Sequence, residues 1–165
     1  MPDDIVAQLR SRAQFWGRGN SYEDFAVGQV FRHHWGRTLT QGDNVLFTTL
    51  TLHYNPIYFN EEYARAEGRS GLVVCPLLLF GTVFGLSVED LSEIGGPFLG
   101  VDDLTYARPV IVGETVYAES TVTACRTTES RPDYGIVTWR TRGHTVAGET
   151  LIEFTRSNLV RKRDG

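Results

Sequence analysis

Cysteine is scarce, basic charge is not in excess and no apolar run is long, and each shortage excludes a class of protein. The two cysteines among 165 residues, Cys75 and Cys125, are too few for a disulfide framework. A reducing cytoplasm is therefore expected. The net charge of −4 leaves no electrostatic footprint for nucleic acid. The small basic cluster Arg156…Arg161-Lys162-Arg163 reads as a solvated end. The longest apolar stretch, Leu77 to Leu86, is too short to cross a bilayer, so no membrane partner is expected. The opening residues Met1-Pro2-Asp3-Asp4 are acidic and lack the basic-then-apolar pattern of a signal peptide. There is no repeat and no low-complexity tract. No His/Cys/Asp spacing suits a metal site, and no cofactor is called for.

What is present suits one globular domain with a real core: 41% apolar and 22% charged residues. Ile5 to Phe15 has loosely helical apolar spacing, ended by Gly17 and Gly19. Val30 to Leu39 favours a strand. Thr40 is a good helix N-cap with Asp43 at the capping-box position, and Gln41 to Leu52 follows with Val45, Leu46, Thr49 and Leu50 on one face. Asn55-Pro56 breaks it. A short helix spans Asn60 to Glu67. Pro76 suits a first helical position, and the segment after it, Leu77 to Val88, is apolar on all sides, as expected of a helix in a core.

From Gly95 the pattern turns to strands, over Phe98 to Tyr106, Glu114 to Arg126, Gly135 to His144 and Glu149 to Val160. In the second, Val116, Ala118, Ser120, Val122 and Ala124 alternate with polar neighbours. The order is strand, helices, one very apolar helix, then four long strands. An antiparallel sheet wrapped round one long apolar helix fits it, an α+β hot-dog fold. The expected organisation is a helical lead-in over residues 1–20 and a single domain over 21–165. One helix cannot cover both faces and the edges of such a sheet, so a homodimer joined sheet edge to sheet edge is expected.

The residues Tyr22-Glu23-Asp24-Phe25…Val27-Gly28, Arg37-Thr38-Leu39-Thr40…Asp43, Asn55-Pro56…Glu61-Glu62-Tyr63-Ala64, Arg108-Pro109-Val110…Gly113-Glu114-Thr115-Val116 and Asn158-Leu159-Val160-Arg161-Lys162-Arg163 resemble, in order and spacing, the MaoC-like acyl dehydratases. That family contains the R-specific enoyl-CoA hydratases. With Phe84-Gly85-Leu86-Ser87-Val88 after the apolar helix, the chain looks closest to the single-domain branch of mesaconyl- and itaconyl-CoA hydratase-like proteins. The resemblance implies a thioester of coenzyme A or an acyl carrier protein as substrate, and addition or removal of water at the double bond beside the thioester carbonyl.

The family's site reads Gly-Asp-x-Asn-Pro-(Leu/Ile)-His, with a backbone N–H at the start of the apolar helix receiving the carbonyl oxygen as it gains charge. Here His53 stands at the Asp position, Tyr58 at the His position and Pro76 at the helix-start Gly. Proline has no N–H, so Leu77 N–H or another donor has to replace it. His53 as base and Tyr58 as proton donor make a coherent pair. Asn55 is expected to fix the loop turn and, with Cys75, Pro76, Leu77 and Gly81, to border the substrate. Phe80 and Phe84 argue for a short acyl chain. Arg108 and Arg131 are candidates for coenzyme A phosphates. His33 and His34, adjacent on a strand, are expected to point one in and one out. Two other functions stay open. One is a catalytically silent subunit that pairs with a competent hot-dog protein in a hetero-oligomer. The other is a thioesterase using Glu61 or Glu62.

Overall fold

The structure, a computed structural model, describes residues 19–163 together with Ile5. The helix expected over Ile5 to Phe15 lies outside the described residues except for Ile5. Ten elements follow: β1 (Val30–Arg32), β2 (Arg37–Thr38), α1 (Gln41–Leu50), α2 (Glu61–Ala66), α3 (Pro76–Leu86), α4 (Val88–Leu91), β3 (Phe98–Tyr106), β4 (Thr115–Thr127), β5 (Tyr134–His144) and β6 (Thr150–Arg161), with 3-10 turns at Tyr22–Asp24 and Pro56–Tyr58. The sheet is antiparallel in the order β1-β4-β5-β6-β3, with β2 also beside β4. None of the described helices is long and apolar enough to cross a membrane.

The sheet curls round α3. Leu79 and Val83 of α3 are buried against Val116 and Ala118 of β4 and Leu151, Ile152 and Phe154 of β6. The close approach is possible because β5 has Gly143, where a Cβ would stand 2.6 Å from both Val83 and Ile152 side chains. Phe80 and Phe84 also turn to the sheet: Phe80 meets Phe154 edge-on, and Phe84 meets Phe98 in the same way. Under Phe84 lies Arg156, 0% exposed, its guanidinium 4.4 Å from that ring and 5.4 Å from the ring of Trp139. Burial pushes Arg156 down to about 10.

Four expectations change. The strand over Val30 to Leu39 is two short strands. Between them His33 turns inward, its Nδ1 on Asp90 and its Nε2 2.9 Å from Ser120 Oγ, while His34 stays exposed. Burial pushes the His33 ring down. The alternation in β4 breaks after Val122, where the register with β5 shifts. Ala124 is therefore exposed and Cys125 packs toward Phe25 and Trp139. The apolar helix is not covered on all sides, since Leu77 is 45% exposed and Gly81 and Gly85 face outward. A sheet on one side shields only one side of a helix. Finally, α1 presents its apolar residues to the outside, with Leu46 62% and Leu50 73% exposed, and turns polar Asn44 and Thr48 inward.

The two glycine environments predict opposite signs for one substitution. Gly143→Ala forces Val83 and Ile152 apart and is expected to cost about 1–3 kcal/mol. Gly81→Ala adds a Cβ that meets nothing within 4 Å and is expected to stabilise by about 0.5–1 kcal/mol. Denaturant midpoints of the two variants check both signs.

Candidate active site

The site begins at the start of α1. Thr40 Oγ1 accepts from Asp43 N at 3.2 Å while Thr40 N donates to Asp43 Oδ2 at 2.9 Å, the capping box read from the sequence. The Thr40 hydroxyl donating to Asp43 Oδ2 at 2.6 Å, then Thr40 N on the same oxygen, with Arg37 adding to them, hold the Asp43 carboxyl below the usual carboxylate range. One residue on, Asn44 is 0% exposed. Its Nδ2 donates to Tyr58 O at 2.8 Å and Val73 O at 2.9 Å, and its Oδ1 accepts from Cys75 N at 2.8 Å. One side chain thus ties α1 to the turn carrying Tyr58 and to the strand-like segment leading into α3.

The helix stops at Leu50 because Leu52 takes φ +59°, a left-handed conformation that costs a non-glycine residue roughly 1–2 kcal/mol. The family pattern has glycine in this place. His53 follows, with its N–H on Thr48 O at 2.9 Å, its Nδ1 2.8 Å from Thr51 Oγ1 and its ring stacked over Phe47 at 6.3 Å. Asn55 Oδ1 accepts from Ile57 N at 3.2 Å, so Asn55 fixes the 3-10 turn as its place in the sequence suggests. Tyr58 ends that turn, and its hydroxyl bonds to no described residue.

At the start of α3, Cys75 is buried and Pro76 occupies the first helical position. The N–H groups of Leu77 and Leu78 have no partner among the described residues, as first-turn N–H groups lack one within the helix. Tyr106, arriving from β3, donates its hydroxyl to Pro76 O at 3.0 Å. Burial pushes up both the Tyr58 and Tyr106 phenols, nearby Cys75 adds to each, and Tyr58 adds to Tyr106. Two neutral phenols therefore stand near the first turn of α3, whose Leu77 N–H has no partner among the described residues. Such donors suit an oxygen that gains negative charge.

Of the residues singled out in the sequence, Tyr58, Cys75, Pro76 and Leu77 come together at this turn. His53 belongs to the same loop but shares no hydrogen bond with Tyr58 among the described residues. Gly81 lies further along α3, in a groove of about 510 Å³ that Phe47 also borders. Arg108 is committed elsewhere. Its Nε and Nη2 bond Glu149, its Nη1 and Nη2 bond Glu114, and its Nη1 also bonds Pro109 O. All five donors are taken, and a phosphate would have to displace a carboxylate. Arg131 is exposed in the β4–β5 turn. Glu61 and Glu62 are exposed on α2, with Glu61 paired to Arg65.

Comparison with known proteins places this geometry. A family model described as mesaconyl-CoA hydratase matches residues 2–165. The chain belongs to this family. Mesaconyl-CoA hydratase of Haloarcula marismortui is 40% identical over 157 residues, which are 94% of this chain and 44% of the relative. An (R)-specific enoyl-CoA hydratase of Rhodospirillum rubrum is 30% identical over 86% of this chain and 92% of its own length. A MaoC domain dehydratase from Chloroflexus aurantiacus superposes with a TM-score of 0.83 at 29% identity, covering 92% of this chain and 43% of that one. The fold is the hot-dog fold, as expected. The chain spans less than half the length of the mesaconyl-CoA hydratase it matches.

Asn44, Leu52 and Tyr106 escaped the sequence reading. Asn44 and Thr48 are four apart in a capped helix, a polar stripe that could have been noticed. Tyr106 gave no signal, because only the sheet register brings it over Pro76. Asn44→Ala leaves Tyr58 O, Val73 O and Cys75 N without their partner, at about 1–3 kcal/mol for each buried group. The expected loss is about 3 kcal/mol or more in chemical denaturation, against under about 0.5 kcal/mol for an exposed control such as Gln41→Ala.

Proposed function

We propose that this chain is an acyl-thioester hydratase, a hydro-lyase that adds or removes water at the double bond next to a thioester carbonyl. The thioester is of coenzyme A or a carrier protein. The observation that carries this reading is the neutral Tyr58 phenol beside the open first turn of α3 with its free Leu77 N–H. Leu77 N–H takes the place of the donor that Pro76 lacks and receives the carbonyl oxygen. Tyr58 donates the proton to, or holds, the departing or arriving hydroxyl, and His53 removes the proton at the carbon next to the carbonyl. Relatives named for mesaconyl-CoA and (R)-specific enoyl-CoA hydration support the reaction class.

The outward apolar residues of α1 and the exposed Phe98 and Leu99 on the edge strand β3 support pairing with a second hot-dog unit, most simply another copy of this chain in a cytoplasmic homodimer. A second reading is favoured by one observation, the missing bond between His53 and Tyr58. On it the chain is the silent half of a pair, completing the site of a competent hot-dog partner.

Hydration of crotonyl-, mesaconyl- and itaconyl-CoA by the wild type, His53→Ala and Tyr58→Phe decides between them. Turnover that falls at least about a hundredfold in each variant is the expected result. Because burial raises the Tyr58 phenol, it keeps its proton past the ordinary tyrosine value of about 10, and any alkaline loss of rate set by Tyr58 lies above that. Turnover appearing only after mixing with a second hot-dog protein favours the silent half. Turnover that both variants retain removes the loop from the mechanism.

A further inference from the structure

Among the described residues, four buried side-chain atoms lack a hydrogen-bond partner: Trp139 Nε1, Arg156 Nε, Arg156 Nη1 and Asn158 Oδ1. Three of them are donors, and those three belong to two neighbours. Trp139 of β5 and Arg156 of β6 face each other across the sheet, and both are 0% exposed. The guanidinium lies 5.4 Å from the indole ring. Folded proteins leave few buried polar groups unmatched, so three donors in one place need an acceptor.

The charge sharpens that need. Burial takes Arg156 down only to about 10, so it is still a cation at neutral pH. Its Nη2 reaches Ser87 O at a long 3.5 Å, and no described carboxylate pairs with it. Asp90, the acid of the adjoining cluster, is bonded to His33 Nδ1 instead. The Phe84 ring, 4.4 Å from the guanidinium, supplies a cation–π attraction, yet Nε and Nη1 still lack an acceptor. A buried cation without a counter-charge is costly.

Ser87 closes α3 and opens α4. Arg156 therefore lies beneath the junction of the two helices, about 15 Å along the axis of α3 from Leu77. A short acyl group held at the first turn does not reach it. The flanking rings of Phe84 and Trp139 offer no water. A singly charged ion loses less by dehydration in such a place than a phosphate or sulfate does, and one charge matches one guanidinium.

We propose that Arg156 and Trp139 bind a small monovalent anion of the halide class under the α3–α4 junction, as a built-in counter-ion of the core. The site stands whether or not the chain hydrates a thioester. A water joining Asn158 Oδ1 to Arg156 is the competing occupant, and it would leave the charge unmatched.

Two measurements test it. The first is anomalous diffraction from wild-type crystals grown in bromide. A bromide peak is expected within about 3.5 Å of Arg156 Nε or Nη1, hydrogen-bond reach for an ion larger than oxygen. The second is the thermal midpoint with chloride in place of gluconate at constant ionic strength. Chloride is expected to raise the wild-type midpoint by about 3 °C or more. Arg156→Met, which keeps length and loses charge, is expected to show no such rise and to match or exceed the wild type in gluconate. The wild-type map needs no variant and decides alone if Arg156→Met does not fold. Water at the site, a wild-type midpoint indifferent to chloride, or a chloride response that survives the methionine each overturn the proposal. So does a bromide peak without stabilisation in solution, which marks an ion bound at crystal concentration only.

Discussion

Three hydrogen bonds from the buried Asn44 amide set the distance between the loop that carries Tyr58 and the helix that offers its first turn. The amide spends both donors on carbonyls and its oxygen on Cys75 N–H, so no other orientation satisfies the same groups. In a buried setting each bond is costly to lose, which makes the spacing rigid. The chemistry proposed for the site depends on that rigidity, because a donor misplaced by an ångström gives up much of its effect on a developing charge. The capping box at Thr40 and Asp43 serves the same end by fixing where α1 starts and therefore where Asn44 points.

That arrangement has a consequence for the outer surface. With Asn44 and Thr48 turned inward, α1 shows Leu46 and Leu50 to the outside, and the edge strand β3 shows Phe98 and Leu99. Tyr106 sits at the far end of the same strand and reaches back to Pro76. Site and unpaired edge are thus built from one strand.

The sheet and its helix were legible in the sequence because their signals are local. The second of the four long strands shows period-two alternation as far as Val122, Pro76 marks a helix start, and Thr40 with Asp43 marks another. What failed was what depends on distant neighbours. The register shift after Val122 moved Cys125 inward in place of Ala124. His33 bent one strand into two by finding Asp90 and Ser120 across the fold. Periodicity put Val45, Leu46 and Leu50 on one face of α1 and could not say that the face points away from this chain's own core. The family spacing put Tyr58 on the loop after α1 and Cys75, Pro76 and Leu77 at the start of the apolar helix, and the Asn44 bonds tie those two segments together. It could not show that Arg108 is saturated by Glu114 and Glu149, partners 6 and 41 residues away.

The most direct test of the site is a crystal structure with a saturated acyl-CoA bound. The predicted result places the thioester carbonyl oxygen within about 3.2 Å of Leu77 N, the range of ordinary hydrogen bonds, with Tyr58 Oη facing the third carbon of the acyl chain, where the hydroxyl leaves or arrives. A carbonyl oxygen held away from the first turn of α3, with Leu77 N–H still facing solvent, would contradict it.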